Sequence, residues 1–167
     1  MRGQQLMKLK SPITVRQAET AEDLQAIRQL FQAYVDWLDI DLSYQGFEAE
    51  LAGLPGKYSP PGGALLLAKD PAGQVCGCVG LRPFETGSSC EMKRLYVLPE
   101  ARGLGVGALL VERVIHAAVL GGYKTMLLDT LPTMTGAIRL YENAGFRETA
   151  AYYPTPIKET VFFSKDL

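Results

Sequence analysis

Cysteine and histidine are scarce in this chain, tryptophan occurs once, and charge of one sign is missing. The three cysteines, Cys76, Cys78 and Cys90, are an odd set, so a fully paired disulfide framework is excluded and a reducing compartment is expected. Cys76 and Cys78 would share one strand face, but the one histidine, His116, falls on a distant helical segment, so no metal site is assigned. No stretch reaches the roughly 18 consecutive apolar residues of a membrane span, and residues 1–10 lack the apolar run of a secretory leader. The expectation is a cytoplasmic protein with no membrane partner. Lys and Arg number 17 against 18 Asp and Glu, a net charge of -1, which supplies no field to hold a polyanion. No nucleic-acid partner is expected, and any anion must be met locally.

What is present is an ordinary globular composition. The 167 residues are 47% hydrophobic and 21% charged, enough for one self-sufficient core, so a single domain over 1–167 is expected, with 1–10 as a flexible tail. Alternation over 13–18 predicts a first strand, and Thr20 followed by Asp23 predicts a capped helix. Leu24, Ile27, Leu30, Phe31, Tyr34 and Leu38 give that helix one apolar stripe. Ser43 predicts the cap of a second helix over 44–54, ended by Pro55-Gly56, and 57–63 reads as a mobile loop. Strands are predicted over 64–69, 74–83 and 89–97, the first two joined by a hairpin turn at 70–73. The period then changes. A helix over 106–120, stopped by Gly121-Gly122, is followed by a strand over 123–130, a helix over 135–143 and closing strands over 146–152 and 161–165. The fold class is α/β, in the mixed α+β sense.

The informative segment is Arg102-Gly103-Leu104-Gly105-Val106-Gly107, set between a strand ending at Val97 and a helix of about four turns. Glycines there let the backbone approach a ligand, and the first unpaired N–H groups of the helix point at it with the positive end of the dipole behind them. A pyrophosphate would satisfy those donors, with Arg102 adding charge at the rim. Gly103-x-Gly105-x-x-Ala108 also fits a dinucleotide fingerprint, with Asp129 downstream for a ribose. Against that stand the five residues from Leu98 to Arg102 between strand and first glycine, and the hairpins that precede the loop.

The run from Glu91 to Gly107 resembles the strand and pyrophosphate loop of the GNAT superfamily of acetyl-CoA-dependent N-acetyltransferases, whose loop pattern is (Q/R)-x-x-G-x-(G/A). Downstream, Ala137-Ile138-Arg139-Leu140-Tyr141-Glu142-Asn143-Ala144-Gly145-Phe146 is similar to the second signature of that family, A-I-x-L-Y-E-x-x-G-F. The resemblance is strongest from about Glu91 to Arg147. It implies a mostly antiparallel central sheet that splays between strands 4 and 5, with acetyl-CoA as cosubstrate lying in the opening. Backbone groups of Leu95, Tyr96 and Val97 would pair with the pantetheine arm, and Arg102, Gly103, Leu104, Gly105, Val106, Gly107 and Ala108 would receive the diphosphate. Asn143, within the second signature, is carried over as a further cofactor contact. Many members have an Asn where this chain has Met134, so one side-chain contact to the cofactor is in doubt.

An amine attacks a thioester only when neutral, so its proton needs an acceptor. Glu91 and Asp129 are both candidates, and spacing does not choose between them. Alternation would put Glu91, Lys93 and Leu95 on one sheet face. Tyr141, by its resemblance to the family tyrosine, would donate to the departing thiolate, and a backbone N–H near Leu95 or Tyr96, where members carry a bulge, would face the oxyanion. Phe31, Tyr34 and Trp37 read most simply as core, with Trp37 or Tyr44 as a candidate edge of the acceptor pocket. Tyr152 and Tyr153, ahead of a rigid Pro154-Thr155-Pro156 turn, would form a wall of it. The expected reaction is acetyl transfer to a primary amine of a small molecule or peptide by direct attack in a ternary complex. A binding module for acyl-CoA without catalysis is the alternative, and homodimerisation is left open.

Overall fold

The computed structural model describes residues 13–85 and 87–167, so the expected tail at 1–10 lies outside the described residues. Among the described residues seven strands form one sheet: β1 (Thr14–Gln17), β2 (Ala64–Lys69), β3 (Val75–Pro83), β4 (Ser89–Val97), β5 (Thr125–Thr130), β6 (Arg147–Thr149) and β7 (Val161–Asp166). Their order across the sheet is β1-β2-β3-β4-β5-β7-β6, antiparallel throughout except for the β4–β5 pair. That order removes the dinucleotide-fold reading, which needs a parallel sheet.

Helices α1 (Ala21–Leu38) and α2 (Phe47–Ala52) cover one face, and α3 (Val106–Leu120) and α4 (Thr135–Asn143) the other. The apolar stripe of α1 buries Ile27, Leu30 and Phe31 against Leu65, Leu67 and Cys78, while Val106, Leu110 and Val114 of α3 pack on Leu66, Val79 and Leu81. Each such burial contributes about 1.5–3 kcal/mol. The start of α1 is a capping box: Asp23 donates its N–H to Thr20 Oγ1 at 3.0 Å and its carboxylate accepts the Thr20 N–H at 3.1 Å. Arg16 of β1 reaches the same carboxylate with both terminal nitrogens at 2.7 Å, tying the edge strand to the helix.

Three expectations change. The helix expected over 44–54 is split, because Gly46 is left-handed (φ 70°) and separates a 3-10 turn at Ser43–Gln45 from α2. The segment 57–63 is anchored: Tyr58 is buried, donates to Glu50 Oε1 at 2.9 Å, and lies so close over Gly80 that a Cβ there would meet its ring at 2.6 Å. The strand expected over 146–152 ends at Thr149, since the chain then turns to deliver Tyr152 and Tyr153 to two carboxylates.

Two bulges reset the alternation. One shifts the β2–β3 register at Ala68/Lys69, so Cys76 packs beneath α3 while Cys78 packs beneath α1 and the two do not share a face. The other inserts a residue in β4, where Gly80 pairs with Lys93 but Cys78 pairs with Tyr96, and Arg94 holds φ 61°. Leu95 and Val97 therefore turn to the α3 side with Met92, opposite the face of Glu91 and Lys93, which corrects the expectation that Glu91, Lys93 and Leu95 share one face.

Candidate active site

The sheet opens where β4 and β5 part. They pair only over Ser89–Glu91 with Thr125–Leu127, and beyond that both edges are free to face a ligand. Two adjoining clefts occupy the opening, with Leu95 and Met134 on the wall of each.

The larger cleft, about 590 Å³, is bounded by Tyr96 and Val97 of β4, Arg102, Gly103, Gly105, and the first residues of α3, with the start of α4 opposite. Gly103 and Gly105 hold φ 81° and 80°, and nothing lies within 4 Å of where their Cβ atoms would stand. No side chain caps α3, so its first N–H groups are offered to this cleft. An uncapped helix start behind an open glycine loop fits a diphosphate, and the volume lies in the range of cofactor sites. Arg102 does not project freely from the rim. Its Nε donates to the Val97 carbonyl at 3.1 Å, and its guanidinium lies 4.8 Å from the Trp37 ring centre and 5.7 Å from that of Tyr96. Trp37, expected in the core or at the acceptor pocket, is instead 46% exposed and lines this larger cleft. Val106, Gly107 and Ala108 stand on the wall, whereas Leu104 points to solvent and Asn143, exposed at the end of α4, lies off both walls.

The smaller cleft, about 50 Å³, is where the polar side chains meet. Lys93, Arg94 and Leu95 come from β4, Asp129 from β5, Tyr141 from α4, and Tyr34, Tyr44 and Gln45 from the helical arm. Tyr141 is buried among Phe146 and Phe163 on the α3 side of the sheet, and burial holds its phenol far above the usual tyrosine range. It therefore stays protonated at every ordinary pH. Asp129 approaches from the other side of the sheet, accepting from Tyr153 Oη and from Lys93 Nζ at 3.3 Å. Burial pushes its carboxyl up, but the Lys93 charge and these two hydrogen bonds outweigh it, so Asp129 sits below the usual carboxylate value.

Glu91 is 1% exposed and lies behind this wall. It accepts from Arg82 Nε at 2.9 Å and from Tyr152 Oη. Arg94 donates from Nε to Glu50 Oε2 and from Nη1 to Gln45 Oε1, each at 2.9 Å. Burial, with Arg94 and Arg82 nearby, holds the Lys93 ammonium below the usual lysine value despite Asp129 and Glu91. Tyr152 and Tyr153 do not form the expected wall. They pack on Phe162, with ring centres 5.1 and 5.3 Å away, and hold Glu91 and Asp129, while Ile157 and Thr160 of the same segment line the cleft. Sequence reasoning missed Gln45, Arg82, Glu50 and Arg94. The available signal was charge inside an apolar strand, since Glu91, Lys93 and Arg94 lie in a run otherwise built for burial.

This architecture, a splayed sheet with an anion cradle on one side and a carboxylate and phenol on the other, is that of an acyl-transferring enzyme. The description "Acetyltransferase (GNAT) family" matches residues 24–146, and the chain belongs to that family. An uncharacterised N-acetyltransferase of Schizosaccharomyces pombe is 41% identical over 157 residues, spanning 94% of this chain and 96% of its own length. The N-acetylaspartate synthetase of Rattus norvegicus is 31% identical over 121 residues, spanning 68% of this chain and 40% of that one. Among solved structures, yncA from Salmonella typhimurium, determined with its cofactor acetyl-CoA, superposes with a TM-score of 0.71 at 22% identity, over 92% of this chain and 93% of that one. The chain is an acetyl-CoA-dependent acyltransferase. Among the described residues, no helix is long and apolar enough to cross a membrane.

Proposed function

We propose that this protein transfers the acetyl group of acetyl-CoA to a primary amine of a small molecule or peptide by direct attack. The observation that carries this reading is the convergence of Asp129 and Tyr141 on one narrow cleft that adjoins the diphosphate cradle. Acetyl-CoA supplies the acetyl group as an activated thioester. Asp129, ionised and on the wall, receives the ammonium proton of the acceptor directly or through water. Tyr141, held protonated by burial, donates to the departing sulfur. The β4 bulge leaves Arg94 and Leu95 without register partners on β3, and a backbone N–H at this bulge would face the carbonyl oxygen. Glu91, engaged by Arg82 and Tyr152 behind the wall, acts as a positioning residue for Lys93 and the β4 edge.

A covalent route is disfavoured by the thiols: burial pushes all three cysteines up, Cys90 to about 12, so none is a ready thiolate. The rat relative's name specifies N-acetylaspartate as its product, which agrees with a small amine as acceptor here. The test is thiol release from acetyl-CoA over a panel of amines, with Asp129→Asn and Glu91→Gln compared. Asp129→Asn is expected to lower kcat by about 100-fold or more. Unchanged turnover in Asp129→Asn would remove that residue from the proton-accepting role.

A further inference from the structure

We infer that the acceptor carries a carboxylate beside its amine, and that Lys93 and Arg94 together form the seat for that carboxylate. This rests on reading the smaller cleft as the acceptor site. Neighbouring residues of a regular strand point to opposite faces, yet Lys93 and Arg94 both line this one cleft. The left-handed turn of β4 at Arg94 brings them together. Both are 5% exposed, so each cation is held out of bulk water and needs a partner.

Their shared partner is a neutral oxygen. Gln45 Oε1 accepts from Arg94 Nη1 at 2.9 Å and from Lys93 Nζ at 3.3 Å, while its amide nitrogen donates to Tyr44 Oη at 3.0 Å. Two cations converging on one amide oxygen form a site that a carboxylate oxygen would satisfy better, because charge-assisted hydrogen bonds are about twice as strong as neutral ones. The carboxylates that balance these cations do not all face the acceptor. Glu50 and Glu91 neutralise Arg94 and Arg82 from behind, and Asp129 is the one carboxylate among the wall residues. With Glu50 paired to Arg94 and Asp129 to Lys93, the charges around the cleft cancel before an acceptor enters. A simple ammonium adds one uncompensated positive charge, whereas an aminocarboxylate adds none, presenting its ammonium to Asp129 and its carboxylate to Lys93 and Arg94. The narrowness of the cleft favours a compact acceptor such as a free amino acid.

The experiment compares free L-amino acids (aspartate, glutamate, methionine, phenylalanine) with their α-carboxamides as acceptors for the full-length wild-type protein. The carboxamides keep the same amine and lack the α-carboxylate. The expected result is a kcat/KM at least about 10- to 100-fold higher for one or more acids than for the matching amides, the size of one or two charged hydrogen bonds. In Lys93→Met that ratio should fall toward one, and in Lys93→Arg it should be largely retained. The α-ammonium of an amide gives up its proton more readily than that of the acid, which favours the amide at neutral pH, so a preference for the acid runs against that bias, and the change in the ratio between wild type and variant at one pH cancels it. Equal turnover of acids and amides by the wild type would overturn the carboxylate seat and leave acetyl transfer standing. Coenzyme A binding without acetylation of any amine would overturn the acceptor-site reading and the seat with it. Should Lys93→Met fail to fold, the wild-type comparison alone decides.

Discussion

Tyr153 and Asp129 are joined by one hydrogen bond that links the segment after β6 to the free edge of β5. The phenol donates, so it stabilises the ionised carboxylate and helps to keep Asp129 below the usual range. In Tyr153→Phe the Asp129 pKa should rise, and the acidic limb of the kcat/KM profile should move to higher pH. Activity at pH 8 should fall by only about 3- to 10-fold. A pH–rate profile of wild type and variant checks this, and an unmoved acidic limb would show that Asp129 is not the titrating base.

Tyr141→Phe keeps the aromatic packing on Phe146 and Phe163 and removes the hydroxyl alone. Turnover should drop by about 100-fold or more, with coenzyme A affinity nearly unchanged. Calorimetry beside steady-state kinetics separates the two. Equal loss of both would place Tyr141 in binding instead of proton donation.

Gly105 stands at the start of α3 with φ 80° and open space around it. Gly105→Ala meets no steric neighbour, so its effect is backbone strain of about 1–2 kcal/mol. The cradle should shift, weakening coenzyme A binding by several-fold while the amine KM stays close to that of the wild type. Titration calorimetry with coenzyme A measures the first effect and initial rates the second.

Asp23 is held well below the usual carboxylate range by hydrogen bonds from Arg16 and from the backbone at Glu19 and Thr20. Its folded pKa lies below its unfolded value near about 3.9, so its contribution is complete above that pH and is lost as pH falls through the folded value. Asp23→Asn should destabilise the protein by about 1–2 kcal/mol at pH 7 and flatten the loss of stability in acid. Urea unfolding at pH 7 and pH 3.5 gives both numbers. A variant that loses as much stability as the wild type on acidification would show that Asp23 is not a source of the acid sensitivity.

Much of the fold was legible because it follows from local chemistry. The capping box at Thr20 and Asp23, the change of period at Val106 and the glycine that follows α4 each mark a boundary, and β2, β4, α3 and α4 run over the residues that the patterns indicate. The glycine loop was legible for the same reason, since Gly103 and Gly105 are needed where φ is positive. The β4 bulge was implied by the family resemblance, near Leu95 or Tyr96, but not by the residues themselves. Arg94 adopts φ 61° without being a glycine, and one inserted residue leaves no mark on composition or period. The face of Leu95, expected beside Glu91 and Lys93, depends on it. Tyr152 and Tyr153 were misjudged because aromatics near a proline turn look like a wall, whereas their hydroxyls are what the fold uses. Gln45 was invisible: a single amide on a short turn becomes a hub only once β4 brings two cations to it.

The extra residue at Arg94 acts as a phase shifter along a single strand. Upstream of it the chain addresses the acceptor, with Glu91 and Lys93 turned to the helical arm, and downstream Leu95 and Val97 turn to the coenzyme side. Deleting that residue would put the two halves back in step and invert everything after it. Insertions and deletions in descendants of this gene should collect in the 70–73 hairpin turn and be absent from β4.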